Sequence, residues 1–221
     1  PQDVDANDVA VKVTLHKLFG GHSGLEINEG RCNANKAMAR LVQDAIANFA
    51  ACLADWKGGN MRNAIPSSAE VVLTLPKENV EAFKEVVAEW RQTFKDEYDP
   101  IEKTLELDVE EVALPSQIVP EEIQDNLVDA LCAVHNGVYR MIPYNKEIVE
   151  TSSNLAIVEI GEGKAKFLIL IRSSRDSMRE CCAETLESAF SMAGMKVETD
   201  GDYPAWQPNP HSEIVELMKG I

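Results

Sequence analysis

Val9, Val11, Val13 and Leu15 alternate with Ala10, Lys12, Thr14 and His16, a period of two that puts four apolar side chains on one face of an extended segment. A strand of that kind needs paired neighbours and a cover for its apolar face. The following residues supply both. Asn33 to Ala50 carries Ala37, Ala39, Leu41, Val42, Ala45 and Ile46 at helical spacing and runs into a strand around Ala51 to Trp56. After the turn GGNMRNAIP, Ala69 to Leu75 alternates again, Val80, Phe83, Val86, Val87 and Trp90 form a helical stripe from Pro76 onward, and Leu105, Leu107 and Val109 return to strand spacing. The order is β-α-β-β-α-β.

The second half repeats that order more faintly. Pro120 and Glu121 suit a first helical turn, Ile123, Leu127, Ala130, Leu131 and Val134 give an apolar face, and Asn136-Gly137 is a stop. Asn154 to Ile160 and Ala165 to Arg172 read as strands joined by GEG, a helix is expected from Asp176 to Ala193, and Lys196 to Thr199 reads as a short strand. The fold class implied is α+β, with tandem ferredoxin-like split β-α-β units whose antiparallel sheets carry helices on one face. No sequence repeat accompanies the duplication of elements.

Charge narrows the partners. With 37 acidic against 21 basic residues the chain has a net charge of −16 and no basic cluster, which argues against nucleic acid or an anionic membrane as partner. No run approaches a membrane span, the N-terminal residues lack the regions of a signal peptide, and Pro1 in place of Met is expected of a fragment. The 5 cysteines are odd in number without CxxC spacing, so reduced thiols in a cytoplasmic protein are expected.

Known catalytic patterns are missing. GHSG fails the nucleophile-elbow spacing because Leu25 stands where the second glycine belongs, which makes Ser23 a poor nucleophile. There is no HExxH, no P-loop and no GxGxxG, and His16, His22, His135 and His211 lie in unrelated contexts, so no complete metal site is expected from this chain. The pairs Glu110-Glu111 and Glu121-Glu122 are explained as solvated faces.

Three segments retain chemical interest. His22 sits among Gly20, Gly21 and Gly24 at a strand exit, either aimed by the glycines or a solvated bystander. Asn63 stands two residues before Ile65, whose backbone Pro66 restricts, so its amide is either presented or spent on an Asx-turn. Arg172 ends a very apolar strand, where its fork suits a carboxylate or pairs with a neighbouring acid.

The stretches FGGHSGLEINEGRCNANKAMARL, GGNMRNAIP, VETSSNLAIV, LIRSSRDS and GDYPAWQPN together resemble the bacterial aminoacyl-histidine dipeptidases, carnosinase-like zinc exopeptidases. The resemblance covers essentially the whole chain. It implies a lid domain inserted into a zinc-bearing catalytic domain, with residues 1–113 and 114–200 as the two halves of the lid and 201–221 as the start of the return into the catalytic domain. Two zinc ions are then held by segments absent from this chain, and the partners are a dipeptide substrate, the catalytic domain of the same polypeptide and a second copy in a homodimer. By position in the matching motifs, His22 is implied to stabilise the oxyanion, Asn63 to hydrogen-bond the substrate and Arg172 to receive its C-terminal carboxylate. Asn28 departs from the histidine of some relatives. The alternative reading is a ferredoxin-like dimerisation or regulatory ligand-binding module without a catalytic part.

Overall fold

The computed structural model describes residues 1–202, 204, 205, 209 and 212–219. Along the chain these form β1 (Gln2–Asp3), β2 (Asp8–His16), β3 (Gly21–His22), α1 (Ala34–Phe49), β4 (Cys52–Gly58), β5 (Ala64–Ile65), β6 (Ala69–Pro76), α2 (Val80–Glu97) and β7 (Glu106–Val112). They continue with β8 (Gln117–Ile118), α3 (Glu121–Ala133), β9 (Gly137–Ile142), β10 (Asn145–Gly161), β11 (Lys164–Ser173), α4 (Asp176–Met192) and α5 (Glu213–Lys219).

The alternating strand takes the centre it requires. β2 pairs antiparallel with β6 on one side and β7 on the other, and β4 joins β6, so the first half has the strand order β4-β6-β2-β7 of a ferredoxin-like unit. Val11, Val13 and Leu15 are fully buried together with Leu53, Trp56, Val71, Leu73 and Leu75. α1 covers them with Ala37, Met38, Leu41, Val42 and Ala45, while α2 contributes Phe83, Val87 and Phe94. Small residues on α1 let it lie close to the sheet, and the larger side chains of α2 fill the flank.

The α+β class with antiparallel strands holds, and the two halves share one seven-stranded sheet. β10 is 17 residues long, and one of its sides takes β11 from Thr151 to Gly161. Its other side takes β9 over Asn145–Ser153 and β4 at Val158–Ile160, which joins the halves. α3 and α4 pack on this second half, with Ala130, Val134, Cys182, Leu186 and Phe190 buried between them.

Lys36 reinforces the joint. Its Nζ donates to the carbonyls of Leu131, Cys132 and Val134 at 2.7, 2.7 and 2.8 Å, closing the C-terminal end of α3 from α1.

Two details depart from expectation. Lys196 to Thr199 is irregular, with no strand pairing among the described residues, and β9 follows directly on the Asn136-Gly137 stop. The five cysteines are free thiols. In the GDYPAWQPN motif, Tyr203, Trp206, Gln207 and Pro208 lie outside the described residues, as does His211.

Candidate functional site

The loop after β2 is held by charged side chains from its own far end. Arg31 donates from Nη1 to the Gly20 carbonyl at 2.7 Å and from Nη2 to Glu26 Oε1 at 2.6 Å, and the His22 amide donates to Glu26 Oε2 at 2.6 Å. That amide bond, followed by the Arg31 guanidinium, holds the Glu26 carboxyl below its ordinary range. Gly21 explains part of the glycine content: its φ of +128° disfavours a side chain, and a β-carbon there would run into Arg31 and Glu26.

The ribbon formed by β3 and β5 carries two of the candidate residues. His22 pairs with Ala64 and Gly21 with Ile65, and the Ser23 amide donates to the Asn63 carbonyl at 3.0 Å. Asn154 ties this ribbon to β10 by donating from Nδ2 to the Ala64 carbonyl at 2.8 Å. The Asn63 side chain is exposed and makes no hydrogen bond among the described residues. Ser23 is buried, with an unpartnered Oγ, so its hydroxyl is not presented to a substrate.

The orientation of the imidazole follows from its hydrogen bonds. Nδ1 of His22 accepts from the amides of Gly24 and Leu25, both at 3.1 Å. A ring nitrogen that accepts carries no proton, so the neutral ring keeps its proton on Nε2 and offers that N–H as donor. The bystander reading left this nitrogen uncommitted; the loop binds it twice.

Arg172 meets the same loop from the other half of the chain. It lies on β11 opposite Ser152. A β-carbon on Gly24 would sit 3.0 Å from Arg172 Cδ and 3.1 Å from both Arg172 Nε and His22 Cε1. The two side chains therefore flank one glycine. Arg172 makes no salt bridge among the described residues, and its Nε is buried without a hydrogen-bond partner, so the reading in which it pairs with a nearby acid does not describe it. It borders a cavity of about 230 Å³ with Gly24, Glu150, Ser152, Ser173 and Ser174.

Glu150 is a residue that the sequence reading passed over. Its side chain is only 1% exposed, with Arg140 Nε 3.4 Å from one carboxyl oxygen and Arg175 Nε 3.3 Å from the other. An acid within the apolar and hydroxyl-bearing run IVETSSN is the signal that marks it. Asn28 is exposed. Among the described residues no group of three or more His, Cys, Asp or Glu side chains could hold a metal ion, and no helix is long and apolar enough to cross a membrane.

Comparison with known proteins agrees with the architecture. Residues 13–102 match the family model of the peptidase dimerisation domain, a description that bears more directly on the dimerisation reading than on the lid reading. Over 216 residues, 98% of the chain, the sequence is 34% identical to the cytosol non-specific dipeptidase of Escherichia coli (strain K12), of which it covers 44%. The crystal structure of aminoacylhistidine dipeptidase from Vibrio alginolyticus superimposes with a TM-score of 0.95 at 36% identity, over 99% of this chain and 45% of that one. The chain thus spans less than half the length of the dipeptidases it matches. Over nearly its whole length the chain is thus similar to bacterial dipeptidases of this kind, and residues 13–102 within it match the peptidase dimerisation domain.

Proposed function

We propose that the chain is the lid of a cytoplasmic zinc-dependent dipeptidase that cleaves Xaa-His and similar dipeptides, and that the same domain carries the contacts of a homodimer. Residues 1–113 and 114–200 are the two halves of this lid, and 201–221 begin the return to a catalytic domain. The observation that carries the reading is the imidazole of His22, committed through Nδ1 to two main-chain amides and therefore a donor at Nε2, beside an arginine whose Nε is unpartnered.

In this reading the zinc ions are held by segments of the full-length enzyme that flank this chain. Bound there, zinc would supply Lewis-acid polarisation of the scissile carbonyl and an activated water. This chain adds the rest. His22 Nε2–H donates to the carbonyl oxygen as negative charge develops on it, an interaction stronger in the transition state than in the substrate. Arg172 receives the terminal carboxylate in the cavity beside Gly24, and Asn63 donates from its exposed carboxamide to the substrate backbone. A free carboxylate requirement directs cleavage to the C-terminal peptide bond, because an amide placed against Arg172 offers one neutral acceptor where a carboxylate offers two charged ones.

The test uses a full-length enzyme containing this chain. His22→Ala should lower kcat by about two to three powers of ten with zinc content unchanged, and loss of zinc together with activity would overturn the oxyanion role. Arg172→Lys should reduce kcat/KM more for dipeptides with a free carboxylate than for their amides, because an ammonium does not reproduce a bidentate fork. Equal losses on both would reject carboxylate recognition.

A further inference from the structure

The segment that aims His22 is fastened at both ends to a single carboxyl group from a distant part of the chain. Glu102, only 3% exposed, accepts from the Phe19 amide through Oε2 at 2.8 Å and from the Cys32 amide through Oε1 at 3.0 Å. Phe19 and Cys32 bracket the loop that contains Gly20, Gly21, His22 and Gly24. Thr104, two residues further on, adds a hydrogen bond from Oγ1 to the Lys17 carbonyl at 2.7 Å.

The carboxyl is itself held rigidly. It lies in the tight connection between α2 and β7, where the Glu102 amide donates to the Tyr98 carbonyl at 3.0 Å and the Leu105 amide donates to the Glu102 carbonyl at 3.1 Å. No cation faces it among the described residues; the two main-chain amides are its partners. Burying a carboxyl is costly, and an apolar side chain would fill this position without that cost. What the carboxyl alone supplies is two acceptors spaced to receive both ends of one loop.

We infer that Glu102 is a positioning residue, which fixes Phe19 and Cys32 and thereby sets the direction of the His22 ring. Arg31 and Glu26 shape the interior of the loop, and Glu102 places that preassembled unit against the sheet. The inference rests on the reading of His22 as the oxyanion donor, yet its structural half is independent of that reading.

Two measurements on a full-length enzyme containing this chain separate these parts. Glu102→Gln keeps the volume but presents an NH₂ group to one of the two amides. It should lower kcat about tenfold with KM changed less than about twofold, and add no further loss in a His22→Ala background. The same tenfold loss in both backgrounds would overturn the inference, since a general weakening of the fold multiplies with any other defect. Nitrogen-15 NMR of His22 gives the second measurement. The wild type should show an unprotonated Nδ1 and a protonated Nε2, and Glu102→Gln should shift both resonances toward the tautomer average; unchanged resonances would overturn the inference. If the variant does not fold, hydrogen exchange on the wild type decides, because Phe19 and Cys32 amides exchanging as fast as those of exposed loops would refute the clamp. A silent His22→Ala substitution would instead reject the catalytic reading, leaving the NMR and exchange results to judge Glu102.

Discussion

Gly24→Ala is the substitution that most directly separates the site from the fold. Gly24 has a φ outside the left-handed region, so its backbone accepts a side chain. The new β-carbon would lie 3.0 Å from Arg172 Cδ and 3.1 Å from His22 Cε1, closer than ordinary contacts, so both neighbours must retreat by a few tenths of an ångström. Replacing glycine stabilises by about 0.4–1 kcal/mol through the unfolded chain, while crowding costs about 1–3 kcal/mol, which leaves a net loss of at most about 2.6 kcal/mol. At roughly 2–4 °C per kcal/mol for a domain of this size, the melting temperature should fall by less than about 10 °C. Catalysis has no such compensation. A 1 Å misplacement costs about a hundredfold, so smaller shifts of two groups at once should lower kcat/KM about tenfold. Gly21→Ala is the control. Its φ of +128° and the clash with Arg31 and Glu26 should lower the melting temperature much further. Calorimetry and, in a full-length enzyme containing this chain, steady-state kinetics on the Xaa-His dipeptides of the proposed function read both effects. Wild-type kcat/KM in Gly24→Ala, or a melting temperature as low as that of Gly21→Ala, would refute the argument.

Two further outcomes test the scaffold. Asn33 caps α1 by accepting from the Asn35 and Lys36 amides, and its Nδ2 donates to Asn136 Oδ1 at 2.8 Å and to the Leu155 carbonyl at 3.1 Å. Asn33→Ala should therefore cost about 3 kcal/mol in urea unfolding, and a loss below about 1 kcal/mol would show the cap and the bridge to be dispensable. Glu26 has its carboxyl held below the ordinary value of 4.5. The stabilisation it gives is complete above that value and disappears as pH falls through the lowered one, so the Glu26 side-chain carboxyl carbon should shift only on acidification below about 4.5. A titration midpoint of that carbon at or above pH 4.5 would show that the His22 amide and Arg31 do not hold the carboxylate as described.

What the sequence made legible was local. The alternation of Val9 to Leu15 marked β2 because a strand with one buried face must alternate, and Asn33 marked the start of α1 because its side chain closes the helix N-terminus. Lys196 to Thr199 had a β-branched pattern but no partner, and a strand is defined by its ladder as well as by its residues. β9 was hidden because Gly137, Val138, Tyr139 and Met141 are only partly buried and Arg140 is exposed, which blurs the alternation. His22 was visible through its glycines. Glu102 and Glu150 were not: Glu102 acts on Phe19 and Cys32 across 83 and 70 residues, and no spacing rule reaches that far.

The long tenth strand has a consequence for how the molecule comes apart. One side of β10 holds β9 and then β4, so the same backbone segment is a wall of both halves, and the halves cannot separate without tearing its pairing with Trp56–Gly58. Asn33 and Asn35 stitch the same region by donating to the Leu155 carbonyl. Although the element order suggests two modules, heat should therefore melt them together as a single cooperative unit, with calorimetric and van't Hoff enthalpies in agreement.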